Sequence, residues 1–287
     1  HMLFVVSGII GVIGIAAVLY FVPESSQRNP GRFDYLGAVL LSIALVLLLL
    51  PVSKGNTWGW SSPITLGMFA GAIAVFVGWG MYELRLPRPL VDLRISGRRP
   101  VLMTNLASIA LGFAMYSNVL AFPQLLMAPS ETGYGFGQSM VMAGLVLAPS
   151  GLVMMALSPV SAGITRQFGA RATLACGAAT VGLGYLVAYL LYTEVWHILV
   201  AAMIIGAGVG LAYAAMPALI MAAVPLTESA AANSLNTLMR SIGTSTAAAV
   251  IGVVLAAMTT RIGDAVVPSL DGFRITFLIA VVAAIVS

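Results

Sequence analysis

Read for its hydrophobic and polar positions, the chain alternates long apolar runs with short polar joins. The apolar runs fall near 4–22, 35–52, 63–83, 100–127, 138–164, 172–192, 196–224, 229–259 and 273–287. A hydrocarbon layer about 30 Å thick is crossed by roughly 20 residues of helix, and backbone in lipid must satisfy its own hydrogen bonds, which a helix does within one segment. The pattern predicts an all-α polytopic membrane protein. The last run holds only 15 residues before the chain stops, short for a crossing. His1 and Met2 read as a cloning scar, and Leu3 opens almost directly on a helix, so a fragment clipped at both ends is expected.

Composition excludes a water-soluble fold: 60% of residues are hydrophobic and 8% charged, where soluble domains carry roughly 25% charge. The placement of charge then sets an orientation. Joins 23–34, 84–99 and 165–171 hold Arg28, Arg32, Arg85, Arg88, Arg94, Arg98, Arg99, Arg166 and Arg171. The alternate joins hold only Lys54 and Arg261, with Arg274 just inside the final run. The positive-inside rule puts the first set in the cytoplasm, and an odd number of helices is then expected upstream. These arginines hug helix ends, which favours orientation over a nucleic-acid patch, so no nucleic acid is expected as a partner. Trp58, Trp60, Tyr189, Tyr192 and Trp196 suit interfacial belts or loop packing equally.

Cys176 has no partner for a disulfide or a thiolate cluster, and His197 is the only histidine besides His1. No nucleophile, metal cluster or acid–base pair emerges, so no enzyme activity, cofactor or metal is expected. Gly206, Gly208 and Gly210 lack the preceding strand of a phosphate loop and read as close helix packing or a hinge. Gly144, Pro149, Gly151, Pro159 and Gly163 in one run, and Pro217 in another, predict bent helices.

Two polar stripes carry the candidate site. Asn105, Ser108, Gly112 and Tyr116 share a helix face, with Asn118 and Gln124 nearby. Such a stripe lines a water-filled cavity or hydrogen-bonds to neighbouring helices, and both readings stand. Asn233, Asn236, Thr237, Arg240 and Thr244 share a face of run 229–259. Arg240 is the one charge within the bundle, either a cavity or gate charge or a lock at the cytoplasmic end. Every carboxylate, from Glu24 through Glu83 to Asp271, falls in a join or at a helix end. A proton-coupling carboxylate is therefore expected outside this sequence.

Pro23-Glu24-Ser25, Gly31 to Gly37, Trp58-Gly59-Trp60, Glu83-Leu84-Arg85 with Pro89 to Leu93, Gly133-Tyr134-Gly135, Ala143 to Pro149, and Asn236 to Gly243 follow one another in an order and spacing that resembles the 14-helix drug:proton antiporters of the major facilitator superfamily. The resemblance covers essentially the whole chain. It implies residues 1–22 as the last helix of an N-terminal bundle, 23–84 as two central linker helices, and 85–287 as a C-terminal six-helix bundle, with five helices missing upstream. It further implies two three-helix units, near 100–192 and 196–287, and substrate bound between two bundles that rock. The implied function is proton-linked export of lipophilic or cationic drugs across a bacterial-type plasma membrane, with protons and lipid as partners. Met127, Met154 and Met155 would adapt to such substrates. Alternatives are an exporter of one endogenous lipid or metabolite, and a non-transporting membrane sensor or interaction subunit. One family motif departs from pattern: aligned on Gly169 and Arg171, Ala162 replaces a glycine, Arg166 an aspartate and Gln167 an arginine. An aspartate latch is thereby lost, leaving Arg166 and Arg171 as candidates for holding helix termini.

Overall fold

A computed structural model describes residues 2–22, 34–86, 89–225, 228–262 and 265–287. Pro23-Glu24-Ser25, Arg28, Gly31, Arg32, Arg88 and Asp264 lie outside the described residues. The chain divides into residues 1–32 and 33–287. The first unit contributes α1 (Met2–Phe21).

The second unit begins with a helix pair, α2 (Tyr35–Trp58) and α3 (Pro63–Arg85), packed on each other. Asp34 caps α2 by accepting from Gly37 N at 2.9 Å, and Ser62 caps α3 ahead of Pro63, whose missing N–H costs nothing in a first turn. The predicted second helix stopped at 52, before Ser53, Lys54 and Gly55. The observed helix runs through Pro51 to Trp58, because the Trp60 ring folds over Gly55 and a β-carbon there would lie 2.8 Å from it. Trp58 is therefore in the helix, not in a join, and Gly59 ends it at φ +88°.

After the single turn α4 (Leu93–Ser96) come α5 (Arg99–Met127), α6 (Met140–Phe168), α7 (Ala170–Leu190), α8 (Val195–Ala223), α9 (Ser229–Ala257) and α10 (Leu270–Val286). Seven of the described helices, α2, α3 and α5 to α9, are long and apolar enough to cross a membrane; α10 has 17 residues. Together with the outward-facing apolar side chains of α6, among them Val141, Leu145, Leu152 and Met155, this makes an all-α multi-pass membrane protein. The sequence had no signal for the one β element among the described residues, a hairpin of β1 (Thr259–Ile262) and β2 (Ala265–Pro268) between α9 and α10.

Helix α8 is central, touching α7, α6, α5 and α9; α5 touches α9, α8 and α10, and α2 carries the α2–α3 pair onto α9. The glycine run on α8 explains its place. A β-carbon on Gly206 would collide with Ser150 O, and one on Gly210 would stand 2.7 Å from Met154 O, so this face lies directly on the α6 backbone. Gly208, on the opposite side, meets Gly177 O of α7 at 2.6 Å in the same sense. The glycines thus let three helix backbones meet at van der Waals range. Beneath them Phe122, Tyr185 and Phe277 form an edge-on aromatic core, and Tyr185 Oη donates to Ala114 O.

Candidate functional site

Helices α5, α8 and α9 meet along one seam, and part of each polar stripe, Asn105 with Ser108 and Asn236 with Arg240, lies on it. In its first layer Asn236 Nδ2 donates to Asn105 Oδ1 at 3.0 Å and to Ser108 Oγ at 2.6 Å, and lies 3.4 Å from Thr104 O. Ser108 Oγ in turn bonds Thr104 O at 2.8 Å and approaches Met216 Sδ of α8 at 3.2 Å. Asn105, Ser108, Thr104 and Asn236 are all buried. Asn236 Nδ2, Asn105 Oδ1 and the Ser108 hydroxyl all find partners inside the bundle, as buried polar groups should, so the arrangement clasps helices together.

One turn further along, Arg240 occupies the second layer. Gly112 makes room for it: a β-carbon there would collide with Arg240 O and stand 3.0 Å from Arg240 Cγ. The guanidinium lies 4.5 Å over the Tyr213 ring of α8, a cation–π geometry, and Tyr213 Oη reaches Met115 Sδ of α5 at 3.0 Å. A long contact of 3.5 Å to Thr237 Oγ1 is its other polar neighbour. Among the described residues no carboxylate stands within ion-pair range of Arg240. Gly243 repeats the close approach, its β-carbon position colliding with Ile109 O.

The remaining candidates spread away from the seam. Thr237 and Ser241 are exposed on α9 and bond back to their own helix, and half-buried Thr244 does the same at 2.9 Å to Ser241 O. Tyr116 packs on the core, Gln124 is exposed, and Asn118 keeps a buried Oδ1 without a hydrogen bond. Arg166 and Arg171 are both exposed. Arg166 stands in the last turn of α6, where a cation suits the helix dipole, whereas Arg171 stands in the first turn of α7, where it does not. What joins α6 to α7 is a bond of 2.9 Å between Thr165 and Thr173, across Gly169 at φ +84°. Beside the first layer, a cavity of about 760 Å³ among α5, α7, α8 and α10 is walled by alanines and Leu219, with Arg99 and Arg171 in its lining. Of the sequence candidates only Arg171 reaches it.

Sequence reasoning missed Tyr213, Met216 and Thr104, which sit on helices or positions outside both stripes. It also missed Glu83, only 2% exposed although it stands in the last turn of α3. Its neighbour Asp34 begins α2, and Tyr82 Oη donates to Asp34 Oδ1 at 3.1 Å. At the other end of the molecule, Glu194 N donates to His197 Nδ1 at 3.0 Å, which makes His197 part of a cap on α8. Arg274 donates to Tyr192 Oη at 2.7 Å and pairs with Asp271 at 3.9 Å.

The sequence profile of the Major Facilitator Superfamily matches residues 104–287, which takes in the whole seam. Among similar proteins is a tetracycline resistance determinant of Streptomyces rimosus, 29% identical over 80% of this chain and 66% of its own length. The multidrug resistance protein Stp of Mycobacterium tuberculosis is 29% identical over 86% of this chain and 45% of its own length. The tetracenomycin C resistance and export protein of Streptomyces glaucescens is 27% identical over 89% and 46%. The chain thus spans between about half and two thirds of the length of these relatives.

Proposed function

We propose, from the premise that this chain belongs to the major facilitator superfamily, that it is the C-terminal part of a proton-linked exporter of lipophilic small molecules working by alternating access. The reading draws on relatives that bear drug-resistance and export names. The observation that carries it is Arg240, a half-buried cation whose guanidinium lies over a ring face with no carboxylate in ion-pair range among the described residues, next to the exposed hydroxyls of Thr237 and Ser241. A charge at membrane depth is costly unless it serves a pathway. Its uncompensated sign repels a bare cation, so a substrate touching this face offers an acceptor or acidic group beside its apolar body. Asn105, Ser108 and Asn236 hold the helices that carry Arg240, while Thr237, Thr244, Tyr116, Asn118 and Gln124 are the positions available to substrate. Arg166 and Arg171 act, in this reading, at the arginine-rich end, which faces the cytoplasm.

The test is dye accumulation in inverted membrane vesicles carrying this chain alone, or with the sequence its gene encodes upstream, before and after collapse of the proton gradient. Gradient-dependent accumulation is expected in the joined form. Its absence there, with the protein inserted and folded, would move the assignment to a narrow-substrate carrier or a non-transporting membrane partner.

A further inference from the structure

The α2–α3 pair holds a second group of ionisable side chains that the export reading does not use. A β-carbon on Gly37 of α2 would collide with Asp34 Oδ2 and lie 2.8 Å from Glu83 Oε1, so the two carboxyls crowd the space that one methyl group would fill. Glu83 is 2% exposed, and neither of its oxygens makes a hydrogen bond of normal geometry. The backbone of Leu90 and Val91 and the indole of Trp79 face the group, and Trp79 Nε1 is itself buried without an acceptor. Asp34 Oδ1 is already taken, by Gly37 N at 2.9 Å and Tyr82 Oη at 3.1 Å, whereas its Oδ2 is buried and unbonded. Two carboxyls at the edge of one methyl-sized space, one of them almost wholly out of solvent, disfavour a second negative charge there.

The helix ends decide between them. Asp34 is the N-cap of α2, where backbone N–H groups and the helix dipole favour an anion. Glu83 lies in the last turn of α3, where its own carbonyl takes Leu86 N at 3.2 Å and the dipole opposes an anion. We propose that Asp34 and Glu83 form one proton site, in which a single proton taken from water resides on Glu83, on the side of Gly37 that Asp34 Oδ2 also crowds. The only bond made is O–H, and its release leaves two anions facing each other across Gly37. The bound proton therefore fastens the start of α2 to the end of α3 and to the segment 89–92 that leads into α5, and its loss loosens all three. This assignment is independent of the export reading.

Other charged groups nearby, among the described residues, are engaged elsewhere or turned outward. Arg94 Nη2 donates to Leu84 O at 3.1 Å, Asp92 accepts from Arg94 N at 2.8 Å, and Arg85 is exposed. From α9, the helix packed on α2, Leu235, Leu238 and Met239 join this cluster with Leu41, Trp79 and Val91.

The test uses the 287-residue chain in lipid nanodiscs, with infrared difference spectra followed through a pH titration in H₂O and D₂O. A deuterium-sensitive carbonyl band of a protonated carboxyl is expected at neutral pH in the wild type. Glu83→Gln should abolish it, and Asp34→Asn should move its midpoint down by about one pH unit or more, because the like charge is gone. A wild type with no such band, a band surviving Glu83→Gln, or an unmoved midpoint in Asp34→Asn would each overturn the proposal. If either variant fails to fold, the wild-type titration decides alone: a carboxyl band that vanishes together with ordinary carboxylates, near pH 4, also overturns it.

Discussion

Asn236 shows what a single side chain does in the seam. Its amide supplies donors to Asn105 and Ser108, so Asn236→Leu leaves two buried acceptors unmet. The expected loss is about 0.6 to 1.7 kcal/mol of unfolding free energy in bilayer or micelle. The double variant Asn105→Leu/Asn236→Leu should lose less than the sum of the singles, because both partners become apolar; a double-mutant cycle by steric-trap unfolding measures it. Arg240 is judged by transport instead. Arg240→Ala should lower accumulation about five- to thirtyfold, the effect of 1 to 2 kcal/mol, while Arg274→Ala, whose partners Tyr192 and Asp271 lie at the other end, should change it little. Equal rates for the two variants in the vesicle assay would remove Arg240 from the pathway. The stripes themselves could be read from periodicity. Their partners could not, since Met216 lies 108 residues from Ser108 and Tyr213 lies 98 residues from Met115, and each pair meets only through helix packing. Glu83 escaped for a related reason: its position at a helix end is visible in one dimension, but its burial depends on Asp34 and on segment 89–92 closing over it.

At the scale of elements, hydropathy placed each membrane helix to within a few residues of its observed limits, except where a side chain covers a weak point. The Trp60 ring over Gly55 carries α2 six residues past the predicted end. The hairpin stayed hidden because two four-residue strands are too short to show alternation. Glycines could be flagged for close packing, but not sorted. Gly243 stands against Ile109 O, while Gly144 on α6 has open space around it. Gly243→Ala should therefore destabilise by about 1 to 3 kcal/mol through overpacking, and Gly144→Ala should be neutral or stabilising by up to about 1 kcal/mol, since alanine is the better helix former. Thermal unfolding of the two variants side by side checks both signs; similar losses would show that Gly243 does not set the α5–α9 distance.

For the whole molecule, the arginine distribution predicts which end meets the cytoplasm. In a Cys176→Ser background, a cysteine at Arg94 should react with a membrane-impermeant thiol reagent only from the cytoplasmic side, and one at Glu131 only from the outside. Reversed labelling would invert the topology and move the seam's first layer to the outer leaflet. At the outer end thus assigned, Tyr134 Oη donates to the Pro268 carbonyl and its ring packs on Phe273, so the join after α5 is stitched to the hairpin before α10. That stitch fastens α5 to α10 at the end opposite the buried bond between Asn105 and Asn236, which fastens α5 to α9. With a backbone carbonyl tied at one end and a side-chain amide at the other, α5 cannot part from α9 and α10 at either end without breaking a bond across the gap.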